Sequence, residues 1–348
     1  MYFIIIRSVI YCYYLGKTGN DRKDTTMKKL SLFKSALALT LSAAMFLNIG
    51  NALQTEAGTF FPAYSNTYKD LRVPTEVAKI GDTYYITDSY HNQVIYSKGV
   101  GTTIKDWKVM ANDLALPHSI ASDGIVYLVT DTENHRVKTY QKTAEGFLEL
   151  QTFEQIGVRP HYAVYDEASG TFYVWSSMTG QMYLFSRKPN TLEVSLVKIL
   201  SVPQLYGKYV RSFTIDGNNI YLPCVDDSCI YVANKNTLAV TAAYPVPANI
   251  GGMVQVVPIQ NYFYLTVSSD TAYDQSHATI VRAKSLADFG KGNYEDLNKK
   301  FGNDGAPYYI SYFDGAYYTT VLRATTKPCI YKFSVTNDIV YDVMQVTF

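Results

Sequence analysis

From Val73 onward the chain is dominated by short apolar runs that alternate with polar positions. In Leu116 to Tyr140, LPHSIASDGIVYLVTDTENHRVKTY, the run Ser119-Ile120-Ala121 is followed by Ile125-Val126-Tyr127-Leu128-Val129. A period of two marks a half-buried strand, and the spacing of an amphipathic helix is absent. Ser122-Asp123-Gly124 separates the two runs. Asp-Gly supplies the positive φ of a tight turn, so the pair predicts a hairpin. A third run opens at Arg136-Val137 and a fourth spans Phe147 to Phe153. The predicted unit is four antiparallel strands.

The unit repeats. Related stretches begin at Val73 (VPTEVAKIGDTYYITDSYHNQVIY) and Arg159 (RPHYAVYDEASGTFYVWSSMTGQMYLF), and their anchoring prolines Pro74, Pro117 and Pro160 stand 43 residues apart. Weaker copies start near residues 210, 252 and 307. A single such sheet cannot cover its own apolar faces, and this period belongs to propeller blades. The expectation is an all-β chain, a six-bladed β-propeller of four-stranded antiparallel blades over residues 73–348. Ile339 to Phe348 would close the ring, helped by Thr59 to Tyr64 from the N-terminal segment 53–72. Lys284 to Lys300, charged and poor in β-branched residues, predicts a short helix or surface excursion replacing the fourth strand of blade five.

Val129 to Val137, VTDTENHRV, closely resembles the core of NHL repeats, in which strand two ends in Asp-Thr/Ser and Asn-His-Arg opens strand three. Blade one departs modestly (ITDSYHNQV, Ile86 to Val94), and the later blades keep only the strand pattern. The resemblance implies an NHL/TolB-like ring in which Asp88 and Asp131 cap turns. Arg136 would pack or pair between blades. The same Pro117-His118-Ser119 segment also resembles the peptidyl-hydroxyglycine amidating lyases, whose equivalent histidine contributes to a metal site. His118 matches that motif and His161 matches it as RPHYA, whereas Arg211 stands at the third position. That departure argues against a three-histidine site.

Ahead of the repeats, residues 27–52 (MKKLSLFKSALALTLSAAMFLNIGNA) carry early lysines, an apolar stretch and small residues near Ala52. They read as a secretory signal peptide starting at Met27, which gives a secreted or cell-surface protein with no stable membrane anchor in the mature chain. Residues 1–26 read as an over-extended gene start or a leader. With 31 basic and 30 acidic residues the formal charge is +1, which offers no broad field for nucleic acid or anionic lipid. A monomer whose ligand is a glycan, peptide or protein fits this composition. The 32 tyrosines suit pleated surfaces with one apolar and one wet side. Cys224 and Cys229 sit across a predicted hairpin, where either a disulfide or a buried reduced pair is open.

Inner strands of a propeller line its central channel. At the residue after each anchor stand Thr75, His118, His161, Arg211, Gly252 and Tyr308. His118, His161, Arg211 and Tyr308 are therefore the candidate ligand-binding residues. Two imidazoles facing one channel could hold a divalent metal ion (His118, His161) if a further ligand completed the shell, with Arg211 clamping a carboxylate or phosphate. The bland alternative is that these histidines hydrogen-bond carbonyls or water in a wet channel. Asp226-Asp227 could likewise hold calcium or simply be a solvated hairpin tip. Nucleophile-elbow, phosphate-loop and zincin motifs are absent, so catalytic residues stay unassigned.

Overall fold

A computed structural model describes residues 54–56, 58–302, 305–323 and 329–348. The predicted leader 1–26 and signal segment 27–52 lie outside the described residues. Six antiparallel sheets follow one another along the chain, and each sheet is one contiguous segment of sequence apart from two N-terminal strands added to the second. Their innermost strands are Pro74–Ile80, Ile120–Ser122, Pro160–Asp166, Thr214–Asp216, Gly252–Ile259 and Ala306–Phe313. This is the six-bladed propeller that the period predicts.

Burial follows position in the blade. The second strand of blade two, Val126–Asp131, is buried at every residue because neighbouring blades cover both of its faces. The outer strand of blade four, Val240–Pro245, alternates between half-buried and exposed along its whole length. Six apolar clusters fill the spaces between the sheets. One packs Trp175, Phe213, Tyr308 and Tyr309 with residues of blades three to six.

Turn chemistry fixes the hairpins. Gly124 adopts φ 86°, and Asp123 accepts from the amides of both Ile125 and Val126, so the Asp-Gly pair forms the tight turn expected of it. At the opposite end of the blades a carboxylate ends the second strand and accepts an amide from the segment entering the first. Asp88 takes the Arg72 amide (2.7 Å), Asp131 the Ala115 amide (2.6 Å) and Asp226 the Tyr209 amide (2.6 Å). Blade three places the Ser176 hydroxyl in that role for Val158. Asp226 is exposed at the hairpin tip, as a solvated carboxylate would be, and also straps the chain entering blade four, while the half-buried Asp227 is tied to Lys208 and Tyr231.

Asp131 also accepts from Asn134 and Arg136 and is fully buried. Asp131→Ala should destabilise the fold by about 2–4 kcal/mol in chemical denaturation, because it leaves a buried amide and a guanidinium without their acceptor. A loss below about 1 kcal/mol would show that the strap is dispensable. Arg136 pairs with Asp131 and Glu154, both in its own blade, and so does not bridge blades.

Two expectations are corrected. Phe60–Pro62 does not help blade six to close; it pairs with Gly146–Phe153, the outer strand of blade two, whose free edge offers unpaired backbone groups. Gln54–Glu56 extends the same edge. The ring closes instead by contacts between blades one and six: Thr320 donates to the Thr75 carbonyl, and Asp314 pairs with Lys79 and accepts from the Tyr84 hydroxyl. Ile339–Gln345 is the outer strand of blade six, as expected. In blade five, the excursion at 284–300 forms the helix Leu286–Gly290 but keeps a short fourth strand, Glu295–Asp296, before the helix Asn298–Phe301. The fourth strand is shortened there, not replaced, because Arg282 holds Glu295 in register by a 2.7 Å ion pair.

Candidate channel-mouth site

Four of the six inner strands, those of blades one, three, five and six, bulge near their start. Register shifts fall between Pro74 and Glu76, Pro160 and Tyr162, Gly252 and Gln255, and Pro307 and Ile310. A bulge sets two successive residues against one on the partner strand, so consecutive side chains can be directed to one side. Two tiers of buried polar side chains lie where the inner strands begin.

The first tier gathers the residues that the anchors predict. The rings of His118 and His161 are 3.9 Å apart, and each lies 6.2 Å from the ring of Tyr308. His118 directs Nδ1 at the Leu116 carbonyl (2.7 Å) and the Thr132 hydroxyl (3.1 Å). The Thr132 proton is already given to the Pro160 carbonyl, so both groups facing Nδ1 are acceptors. Nδ1 therefore carries the hydrogen, and Nε2 presents a bare lone pair with no protein partner among the described residues.

His161 is held differently. Tyr309 donates to the Arg211 carbonyl (3.2 Å), so its oxygen accepts from His161 Nδ1 (2.8 Å), and Tyr308 donates to His161 Nε2 (3.3 Å). Both ring nitrogens are engaged. Burial pushes the His118 pKa down to about 3 and that of His161 well below its usual value, with Arg159 and Arg211 adding repulsion. Both rings are neutral at physiological pH.

Because the folded state resists protonating these rings, their contribution to stability is complete above pH 6.5, the unfolded value, and is lost as pH falls towards 3. For His118 the loss approaches about 1.4 kcal/mol per pH unit. A His118→Gln variant should resist acid better than the parent, with its denaturant midpoint falling less between pH 7 and pH 5. Equal pH slopes would count against a neutral buried ring.

Arg211 is the second unusual group. It is 9% exposed and donates through Nη1 to the carbonyls of Met253 (2.8 Å) and Gly252 (3.4 Å), yet no carboxylate pairs with it among the described residues. Its guanidinium lies 4.7 Å above the Tyr209 ring, and Arg159 covers the same ring at 5.8 Å. Arg159 is neutralised by Glu133 (2.8 Å). Arg211 thus leaves a buried positive charge without a carboxylate partner among the described residues, near enough to His118 to add to the repulsion that lowers that ring's pKa.

Glu76, Ser119, Tyr162, Gln255 and Tyr309 form the second tier, which anchor alignment does not single out. Glu76 accepts from the Ile120 amide, Ser119 from the Ala163 amide and Gln255 from the Ile310 amide, so each clasps the next blade. Gln255 also donates to Tyr162, whose ring is 4.4 Å from that of Tyr309. Burial raises the Glu76 carboxyl to about 8, and it is neutral over much of the pH range. The remaining anchor positions do not contribute ligating groups. Thr75 spends its hydroxyl on the His118 carbonyl, and Gly252 packs its backbone against Ser269, where a Cβ would meet the Ser269 carbonyl oxygen at 2.3 Å.

No group of three or more His, Cys, Asp or Glu side chains is gathered as a metal site among the described residues. Nor does any described helix have the length and apolarity to cross a membrane.

No protein-family model matches the sequence, and no curated protein sequence matches it either. Solved structures do match in fold. A candidate 6-phosphogluconolactonase from Bacteroides fragilis superposes with a TM-score of 0.57 at 13% identity, over 84% of this chain and 96% of that one. A streptogramin B lyase gives 0.54 at 13% identity, over 84% and 90% of the two chains. The chain also covers 65% of a chain in a nidogen–laminin complex at a TM-score of 0.41 and 18% identity, a likeness too loose to bear on function. The first two neighbours are β-propellers, and at such identities this chain shares the fold alone with them.

Proposed function

We propose that this protein is an exported propeller that binds a ligand at the mouth of its central channel through His118, His161, Arg211 and Tyr308, with no covalent chemistry of its own. The observation that carries this reading is Arg211, a buried cation without a carboxylate among the described residues, whose charge acts on the His118 ring that keeps a free acceptor nitrogen. A buried charge is stable only when compensated, and an anionic group on the ligand would supply the missing partner. The Nε2 of His118 would accept from a neighbouring hydroxyl or amide, and Tyr308 and Tyr209 would offer ring faces. A glycan bearing a carboxylate, or the acidic end of a peptide or protein, has this combination of groups.

Thermal unfolding in the presence of galacturonate, inorganic phosphate and an N-acetylated tripeptide, with galactose as the neutral control, tests the reading. At least one anionic probe should raise Tm, by the equivalent of about 2.7 kcal/mol at one hundred times its Kd. The neutral sugar should not. Uniform silence across the anionic probes, or an equal shift in a variant lacking both histidines, would refute the site.

The bare Nε2 of His118 also favours a second reading, a metal-dependent lyase or hydrolase with a divalent ion on His118 and His161. The Leu116 carbonyl orients the first ring as a metal ligand requires. His161 would have to give up Tyr308 to free a lone pair, and further ligands would have to come from outside the protein. Elemental analysis separates the two: stoichiometric metal that vanishes in His118→Gln establishes the second reading, and its absence from both proteins rejects it.

A further inference from the structure

The second strand of blade four, Asn219–Cys224, and the third, Cys229–Asn234, put Cys224 and Cys229 directly opposite each other across the ladder. Pro223 has no amide hydrogen, and the Val225 amide goes to the Tyr209 carbonyl on the other side. The ladder hydrogen bonds at this end therefore fall on the cysteine pair itself, a pairing with Cα atoms about 5.5 Å apart. That spacing lies where disulfide-linked residues are most often found, and opposed side chains project from the same face of the sheet. Both thiols are buried, and burial raises the pKa of each, Cys224 to about 12.

The pair sits under the binding site. Cys224 bridges to Val210, Val225 holds Tyr209, Asp226 accepts from the Tyr209 amide and Asp227 pairs with Lys208. The segment Lys208 to Arg211, which carries both the buried cation and the ring stacked on it, is thus strapped to the four-residue loop between the two cysteines.

We propose that Cys224 and Cys229 are joined by a disulfide that locks this loop and, through it, the entry segment bearing Tyr209 and Arg211. The bond forms by thiol–disulfide exchange with a low-molecular-weight disulfide. One cysteine thiolate attacks the small disulfide and expels one thiol. The other cysteine then displaces the second thiol from the mixed disulfide, so two protein thiols are oxidised and one disulfide is reduced to two thiols. Thiolates are scarce in the folded protein, so exchange takes place during folding, before the hairpin is covered. The bond itself is independent of the proposed function; only its effect on Arg211 rests on that reading.

The test is refolding of the full chain in excess oxidised glutathione, alkylation with iodoacetamide under denaturing conditions, and tryptic digestion. Cleavage after Arg211 and Lys235 puts both cysteines in one peptide, 212–235, that holds no other. It should appear unalkylated and two hydrogens lighter than the dithiol, and become doubly alkylated only when a reductant precedes iodoacetamide. Double alkylation without reductant, or a stable glutathione adduct, would overturn the bond. Cys229→Ser should show the adduct or a single alkylation. For the locking, native protein is exposed briefly to trypsin: cleavage after Lys208 should be at least several-fold slower in the oxidised form. Equal rates would overturn the locking while leaving the bond and the ligand site to their own measurements.

Discussion

Arg211→Met is expected to produce a protein that is more stable than the parent and unresponsive to anionic probes. The arginine is a buried cation whose compensation is two backbone carbonyls and one aromatic face. Carbonyl dipoles and a ring quadrupole offset only part of the loss of hydration of a guanidinium. Replacing buried charges with apolar side chains of similar size is often neutral or stabilising by about 1–4 kcal/mol. Methionine fills the space left by the arginine stem and needs no polar partner. The Met253 carbonyl loses a donor, worth about 1 kcal/mol, so the expected net gain is about 1–2 kcal/mol in denaturant midpoint. A position kept at a loss of stability is the expected signature of a binding residue. If Arg211→Met unfolds more easily and the parent shows no anion shift, the guanidinium is a structural plug tying blade four to blade five.

The clarity of the sequence signal differs between these parts of the molecule. The blades are legible because their period is carried by residues with strict local roles: Pro74, Pro117 and Pro160 at strand entry, Asp123-Gly124 at a turn, Asp88 and Asp131 at the strap. Each acts within a few residues of itself or within its own sheet. Asp226 performs the same task, but its blade lacks the flanking Asn-His-Arg, so the sequence offers no sign that it is a strap. The first tier of the channel is legible as well, because the residue after each anchor occupies one structural position, and His118, His161 and Tyr308 do meet there.

The second tier is hidden by the bulges. Strict alternation assigns Glu76, Tyr162 and Tyr309 to the face opposite their predecessors, whereas the register shifts bring successive residues into one polar core. A bulge leaves little trace in hydropathy. The one available signal was an isolated carboxylate, Glu76, within an otherwise apolar strand entry. The N-terminal pairing with blade two is equally silent, since Phe60–Pro62 reads as an edge strand for any of the six outer edges.

Glu76 gives the pH effect expected of this fold between pH 4.5 and 8. Its carboxyl is almost wholly buried, accepts from the Ile120 amide and lies against Ser119, and burial outweighs both hydrogen bonds to set its pKa at about 8, against 4.5 unperturbed. For an acid whose folded pKa is raised, the neutral form is the one the fold favours. Below pH 4.5 both folded and unfolded chains hold the proton and the group carries no penalty. As pH rises, the unfolded chain ionises while the folded one cannot, and stability is lost at up to about 1.4 kcal/mol per unit until pH reaches the folded value. At pH 7 the accumulated penalty is about 3 kcal/mol, and above pH 8 it levels off. Glu76→Gln keeps the oxygen that accepts from Ile120 and replaces the acid proton with an amide donor facing Ser119, so it matches the neutral carboxyl without being able to ionise. The variant should be indistinguishable from the parent at pH 4, more stable by about 3 kcal/mol at pH 7, and more stable by about 4–5 kcal/mol at pH 9, where the difference has levelled off. Denaturant titrations at those three pH values decide the matter. A constant difference across the range would mean that Glu76 stays charged and is stabilised by its clasp on blade two. A difference growing between pH 4 and 8 would identify it as the neutral, burial-shifted group beneath the two histidines.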